Sequence, residues 1–161
     1  MVLPQRKPNR LPDFDYSTPG AYFITICVKN RKNLLWADVG ASIARLPNPR
    51  LSPWGQIVEQ AIRNIPICYP AISLDHYVVM PNHIHLLLQI QTDKDGQAML
   101  APTISTVIQQ MKGAVTKKIG LSIWQKLFHD HVIRNDADYL KIWEYIENNP
   151  YRWKEDCFYA E

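Results

Sequence analysis

Apolar residues along this chain switch between two periods, and the switches mark its elements. From Tyr22 to Val28 the run is dense in β-forming side chains, released by Gly20 and closed by Lys29-Asn30-Arg31-Lys32, which predicts a strand ending in a solvated turn. Residues 37–53 hold Gly40, Pro47, Pro49 and Pro53 and read as a loop. Ser52 can cap a helix opening on Pro53. Ile57, Val58, Ala61, Ile62 and Ile65 then recur at helical spacing, with Pro66 expected to end it. A strand from about Ile72 to Met80, a Pro81-Asn82 break and a second strand to about Ile90 come next, before a polar turn at Gln91–Gly96. Thr103 to Ile119 is amphipathic, with Thr103 as cap and Gly120 as stop. Ile123 to Arg134 reads as a further strand. Asn135 or Asp136 caps a last helix that reaches about Asn148 and is stopped by Pro150.

The order β-α-β-β-α-β-α, without repeats or a linker, predicts an α+β fold with one antiparallel sheet and helices packed on it. Residues 1–161 are expected to form a single domain. Within it, residues 1–20 form an irregular basic arm carrying Arg6, Lys7 and Arg10 among prolines. That arm is either a flexible terminus or a phosphate contact.

Composition narrows the class. With 161 residues, 47% hydrophobic and 20% charged, the chain can bury a real core and is not of disordered type. A net charge of +3 permits a nucleic-acid partner without demanding one. Cys27, Cys68 and Cys157 are odd in number and outside any CxxC motif, so neither a disulfide framework nor a zinc knuckle follows, and a reducing cytoplasm is expected. No apolar run is long enough to span a bilayer, and the basic, proline-rich start lacks the apolar core of a signal peptide.

Candidate chemistry sits after the Pro81-Asn82 break. On an extended strand His83 and His85 share one face while Ile84 points to the other, which makes a two-imidazole grip on a rigid element. Such H-x-H pairs also arise by chance. The last helix adds a second clue: Tyr139, Ile142, Trp143 and Ile146 form its apolar stripe, Tyr145 flanks it, and Asn149 lies one turn beyond Tyr145. By default Tyr145 is a packing residue with its hydroxyl in water. A helix laid across the sheet would instead aim the phenol at the histidines and bring the Asn149 amide oxygen to the same point. Two imidazoles and one amide oxygen suit Mg²⁺ or Mn²⁺, although imidazole also suits Zn²⁺.

At this point Gly20-Ala21-Tyr22-Phe23-Ile24-Thr25, Met80-Pro81-Asn82-His83-Ile84-His85, Trp124-Gln125, Phe128 through Arg134, and Tyr145-Ile146 with Asn148-Asn149-Pro150 can be taken together. In that order and spread over nearly the whole chain, they resemble the HUH-type single-tyrosine transposases of the IS200 group, most closely the REP-associated tyrosine transposases. The resemblance implies a ferredoxin-like or RRM-like core that cuts and rejoins single-stranded DNA, with hairpin-forming DNA (REP-like sequences or insertion-sequence ends) as partner. It carries the nucleophile onto Tyr145 and the metal ligands onto His83, His85 and, less firmly, Asn149. A homodimer is compatible with it. A non-catalytic single-strand binding module on an RRM-like sheet is the alternative from another class, and a water-using metallohydrolase is a third reading.

Other residues stay open at this level. His129-Asp130-His131 is a second H-x-H, read as structural or DNA-contacting. Trp124 and Phe128 either pack or stack bases. Arg31, Lys112 and Arg134 are candidate phosphate contacts beside the basic arm. The histidine-triad hydrolase pattern fails because Leu87 stands at its third position.

Overall fold

The computed structural model describes residues 11–38, 49–93, 95–96 and 102–160. In chain order these form β1 (Gly20–Cys27), α1 (Pro53–Arg63), α2 (Ile65–Cys68), β2 (Ile72–Val79), β3 (His83–Ile90), α3 (Ile104–Ile119), β4 (His129–Val132) and α4 (Asp136–Asn148), with 3₁₀ turns at Lys29–Arg31 and Pro150–Glu155. The strands make one antiparallel sheet in the order β2-β3-β1-β4, an α+β arrangement as the element order predicted.

Central position explains β3, which is buried on both faces except at Gln89. Ile84, Leu86, Leu88 and Ile90 join Tyr22, Ile24 and Ile26 of β1 in the main core, where Val58 and Ile62 of α1 and Val107, Ile108, Met111 and Val115 of α3 cover them. Strand alternation sends Phe23, Thr25, His83, His85 and Leu87 to the opposite face. There Ile142 and Ile146 of α4 close over Leu87.

The β2–β3 turn ties that second face to its surroundings. Met80 donates to the His83 carbonyl at 2.9 Å, while the carbonyls of Pro81 and Asn82 accept from Leu35 and Val28. The Pro-Asn break therefore sits inside a hydrogen-bonded frame.

Helix boundaries follow the caps. The Ser52 side chain accepts from Gly55, Thr103 from Thr106, and Asn135 from Asp138. Three expectations change. Pro66 does not end α1, which stops at Arg63; it sits in the first turn of α2, where a missing N–H costs nothing. The strand expected over Ile123–Arg134 is paired only over His129–Val132. Upstream, Trp124 makes a single bridge to Val28, and the Lys112 ammonium takes the carbonyls of Gln125 and Lys126 out of any ladder. The arm expected over residues 1–20 is anchored in its described second half: Tyr16 is buried, packs on Phe14 and accepts from Leu11 through its hydroxyl. Arg6, Lys7 and Arg10 lie outside the described residues.

Candidate active site

The β3 backbone delivers both imidazoles to one point. His83 and His85 are buried, and their Nε2 atoms stand 3.1 Å apart. Asn82 sets the first ring. Its amide nitrogen donates to the carbonyls of Phe158 (2.7 Å) and Arg31 (3.3 Å), so its Oδ1 is left to accept from His83 Nδ1 at 2.8 Å. The proton is thereby held on Nδ1, and the Nε2 lone pair faces His85. Thr25 lies opposite His85 in the β1–β3 ladder, and its hydroxyl is 2.8 Å from His85 Nδ1. Phe23 stacks on the same ring at 5.1 Å.

Burial pushes the His83 pKa down to about 4, against the opposing pull of Asp156 and Asn149. Burial, reinforced by His83, drives His85 well below the ordinary histidine range. Both rings are neutral at physiological pH, with lone pairs free to bind.

The 3₁₀ turn after α4 brings in a carboxylate that sequence reasoning missed. Asp156, its side chain 1% exposed, lies 3.8 Å from His83 Nε2. The donor atoms of His83, His85 and Asp156 all fall within 4.8 Å of one another. Asn149 donates through Nδ2 to Asp156 at 3.1 Å, and its Oδ1 is buried without a hydrogen-bond partner among the described residues. Two neutral imidazole nitrogens, a carboxylate and an amide oxygen without a hydrogen-bond partner among the described residues converge here as electron-pair donors. This set fits a divalent ion. Phe158 covers the pair from above, its ring 4.5 Å from His83, and the Asn33 amide holds the carbonyl of Ala160.

Tyr145 enters from α4. Leu87, the position that breaks the histidine-triad pattern, is the apolar seat for Ile142 and Ile146. With those two buried, Tyr145 falls on the flank of the helix, 42% exposed. Its ring lies 5.2 Å from His85 at 61° and 6.1 Å from Phe23. Burial first, then the Asp156 charge, raises its pKa, and the neighbouring Asn149 amide partly offsets this. The phenol is therefore protonated at rest. A cleft of about 540 Å³ opens beside it, lined by Lys141, Asn148, Asn149, Arg152 and Asp156.

The remaining candidates fall elsewhere. Arg31 sits in the turn after β1, its guanidinium 6.0 Å over the Phe158 ring, next to the site. Lys112 is engaged with backbone carbonyls from α3, in the helical layer on the face away from the histidines. Arg134 is exposed just after β4. Trp124 and Phe128 are buried in the main core, which decides for packing. His131 binds Asp138 at 2.7 Å, and His129 is exposed on the same face as Thr25.

No family model matches the chain. An uncharacterized protein of Haemophilus influenzae is 31% identical over 97% of this chain and 94% of its own length. A REP-associated tyrosine transposase of Escherichia coli is 27% identical, covering 84% of this chain and 68% of its own. The solved structure of a REP-associated tyrosine transposase bound to a REP hairpin superposes with a TM-score of 0.62 at 26% identity, over 93% of this chain and 73% of that one. In sequence and in fold the chain is thus similar to REP-associated tyrosine transposases. For this relative of the transposases, the residues that sequence reasoning missed are informative. Asn82 and Thr25 stood inside quoted motifs without a role, and strand alternation alone would have put Thr25 on the histidine face. Lys141, four residues before Tyr145, shares its side of the helix. Asp156 carries no periodic signal at all.

Proposed function

We propose that the protein cleaves and rejoins single-stranded DNA through a covalent 5′-phosphotyrosine on Tyr145. The observation that carries this is the phenol ring against His85, whose Nε2 meets that of His83 at 3.1 Å within one chain. His83, His85 and Asn149, joined by Asp156, would hold Mg²⁺ or Mn²⁺. Bound there, such an ion supplies Lewis-acid stabilisation of charge developing on the scissile phosphate.

The chain's own residues account for the rest. Lys141 and Arg152 at the cleft mouth offer cationic contacts to the DNA backbone. Attack of the Tyr145 oxygen on phosphorus forms the tyrosyl ester and breaks the bond to the 3′ oxygen; the phenolic proton passes to solvent, and the departing oxygen takes one proton from solvent to leave as a 3′-hydroxyl. Because the ester conserves the bond, a 3′-hydroxyl can reverse the step without ATP. Burial favours the neutral Tyr145 phenol at rest, so the attack has a proton to dispose of. Hairpin-forming DNA is the proposed substrate, in line with the REP hairpin held by the relative of solved structure.

The test is incubation with single-stranded hairpin DNA and Mn²⁺, followed by denaturing electrophoresis. A DNA adduct forms with the native chain and disappears in Tyr145→Phe. An adduct that persists in Tyr145→Phe rules out the nucleophile. DNA binding indifferent to chelator, with no adduct, favours a non-catalytic binding module.

A further inference from the structure

The helix that carries Tyr145 has few apolar anchors. Only Ile142 and Ile146 of α4 are buried, while Leu140, Trp143 and Tyr145 are exposed. Beyond these two, the half-buried Tyr139 and the Phe23–Tyr145 ring contact add only partial apolar cover, so packing alone restrains a roll that would swing Tyr145 away from His85 only weakly. Something else must set its azimuth.

The sheet supplies it from both edges. His76, Leu87, Phe23 and His131 form one cross-strand row from β2 through β3 and β1 to β4. At the β4 end His131 Nε2 lies 2.7 Å from Asp138 in the first turn of α4. At the β2 end His76 Nε2 lies 2.8 Å from Glu147 in the last turn, and its ring stacks on Trp143 at 4.4 Å and 28°. Tyr139 adds a bond to Asp75, beside the irregularity in β2 that separates Leu74 from His76. Three interstrand spacings put the two edge strands about 14 Å apart. The nine residue steps from Asp138 to Glu147 rise about 13.5 Å along the helix. The match lets one helix be tied at both edges, with Tyr145 between the ties.

We propose that His76 and His131 are positioning residues: paired with Glu147 and Asp138, they hold α4 across the sheet so that Tyr145 stays over His85 of its own chain. Neither touches the reacting atoms. The inference rests on the proposed role of Tyr145 for its catalytic consequence, but the docking of α4 is measurable without it.

The full chain is compared with two double variants. His76→Leu with His131→Leu removes both donors, whereas His76→Gln with His131→Gln keeps an N–H at each place. Backbone hydrogen exchange is followed in α4 and β3, alongside hairpin affinity and the rate of adduct formation at saturating DNA. In the leucine pair, exchange in α4 rises at least about tenfold while β3 is unchanged, the sub-global opening expected of an untied helix. Adduct formation slows roughly tenfold with affinity held within about twofold, and the glutamine pair recovers most of both effects. Unchanged exchange in α4, or a loss that glutamine does not rescue, overturns the inference. If the native chain forms no adduct, the chemistry of Tyr145 fails and the exchange result alone decides the ties. Should the leucine pair not fold, His131→Leu alone, at a side chain 53% exposed, carries the same comparison.

Discussion

Single residues show how neutral imidazoles are kept in this fold. His83 and His85 lie inside the sheet face with polar partners on their Nδ1 atoms, so burial costs little in lost hydrogen bonds but penalises the charged form. The consequence is a pH dependence of stability. Folding holds both pKa values below the value of about 6.5 for an unfolded histidine, so the unfolded chain takes up protons that the native one refuses. Stability is full above that pH and is lost as pH falls toward about 4 for His83. Between pH 7 and 5 the two sites together are expected to cost about 2–4 kcal/mol, measured by urea unfolding in chelator. His83→Gln with His85→Gln should flatten that slope. An unchanged slope means the rings are not withheld from protonation. Tyr145 obeys the same burial rule in the other direction, since desolvation disfavours its anion.

At the scale of elements, local rules and close contacts conflict in α1. Gly55 sits in its first turn, where alanine ordinarily improves a helix by about 1 kcal/mol. A Cβ there would stand 2.0 Å from the Leu35 carbonyl oxygen and 3.2 Å from Leu51 Cβ. The obstacle is backbone, in the segment that also receives the Ser52 hydroxyl through the Leu34 carbonyl and donates to Pro81 through Leu35 N–H. Gly55→Ala is therefore expected to destabilise by about 1–3 kcal/mol, read as a lower urea midpoint at constant m-value. A gain in stability would show that the strand-end segment yields. Most elements were legible at this scale: the Ser52, Thr103 and Asn135 caps and the periods of α1, α3 and α4 stood in the sequence. The short β4 did not, because Ile123 to Val132 has a strand-like composition, while the Lys112 ammonium that removes its first carbonyls comes from α3.

For the whole molecule, the question is whether one chain completes the site. Tyr145, His83, His85, Asn149 and Asp156 converge within a single copy. A mixture of Tyr145→Phe with His83→Ala, each inactive alone, should accordingly remain inactive in the adduct assay. Restored activity would mean that the tyrosine helix reaches a second copy.

What the residue order determined by itself was the period of each element, its caps, and the placing of His83 and His85 on one face with Ile84 and Leu86 on the other. These are consequences of backbone geometry within a few residues, and they survive any packing. The α+β class followed from the order of the elements. Only the tertiary structure decided which residues complete the site. Asp156 reaches His83 because the 3₁₀ turn after α4 folds back over the sheet, and Tyr145 meets His85 because Ile142 and Ile146 seat on Leu87. Asn82, Thr25 and Arg31 likewise acquire their roles across strand pairs and turns. Apart from the Asn82–His83 bond between neighbours, itself oriented by Asn82's bonds to Arg31 and Phe158, these are contacts between positions far apart in the chain, set by packing and hydrogen bonding that no local period encodes.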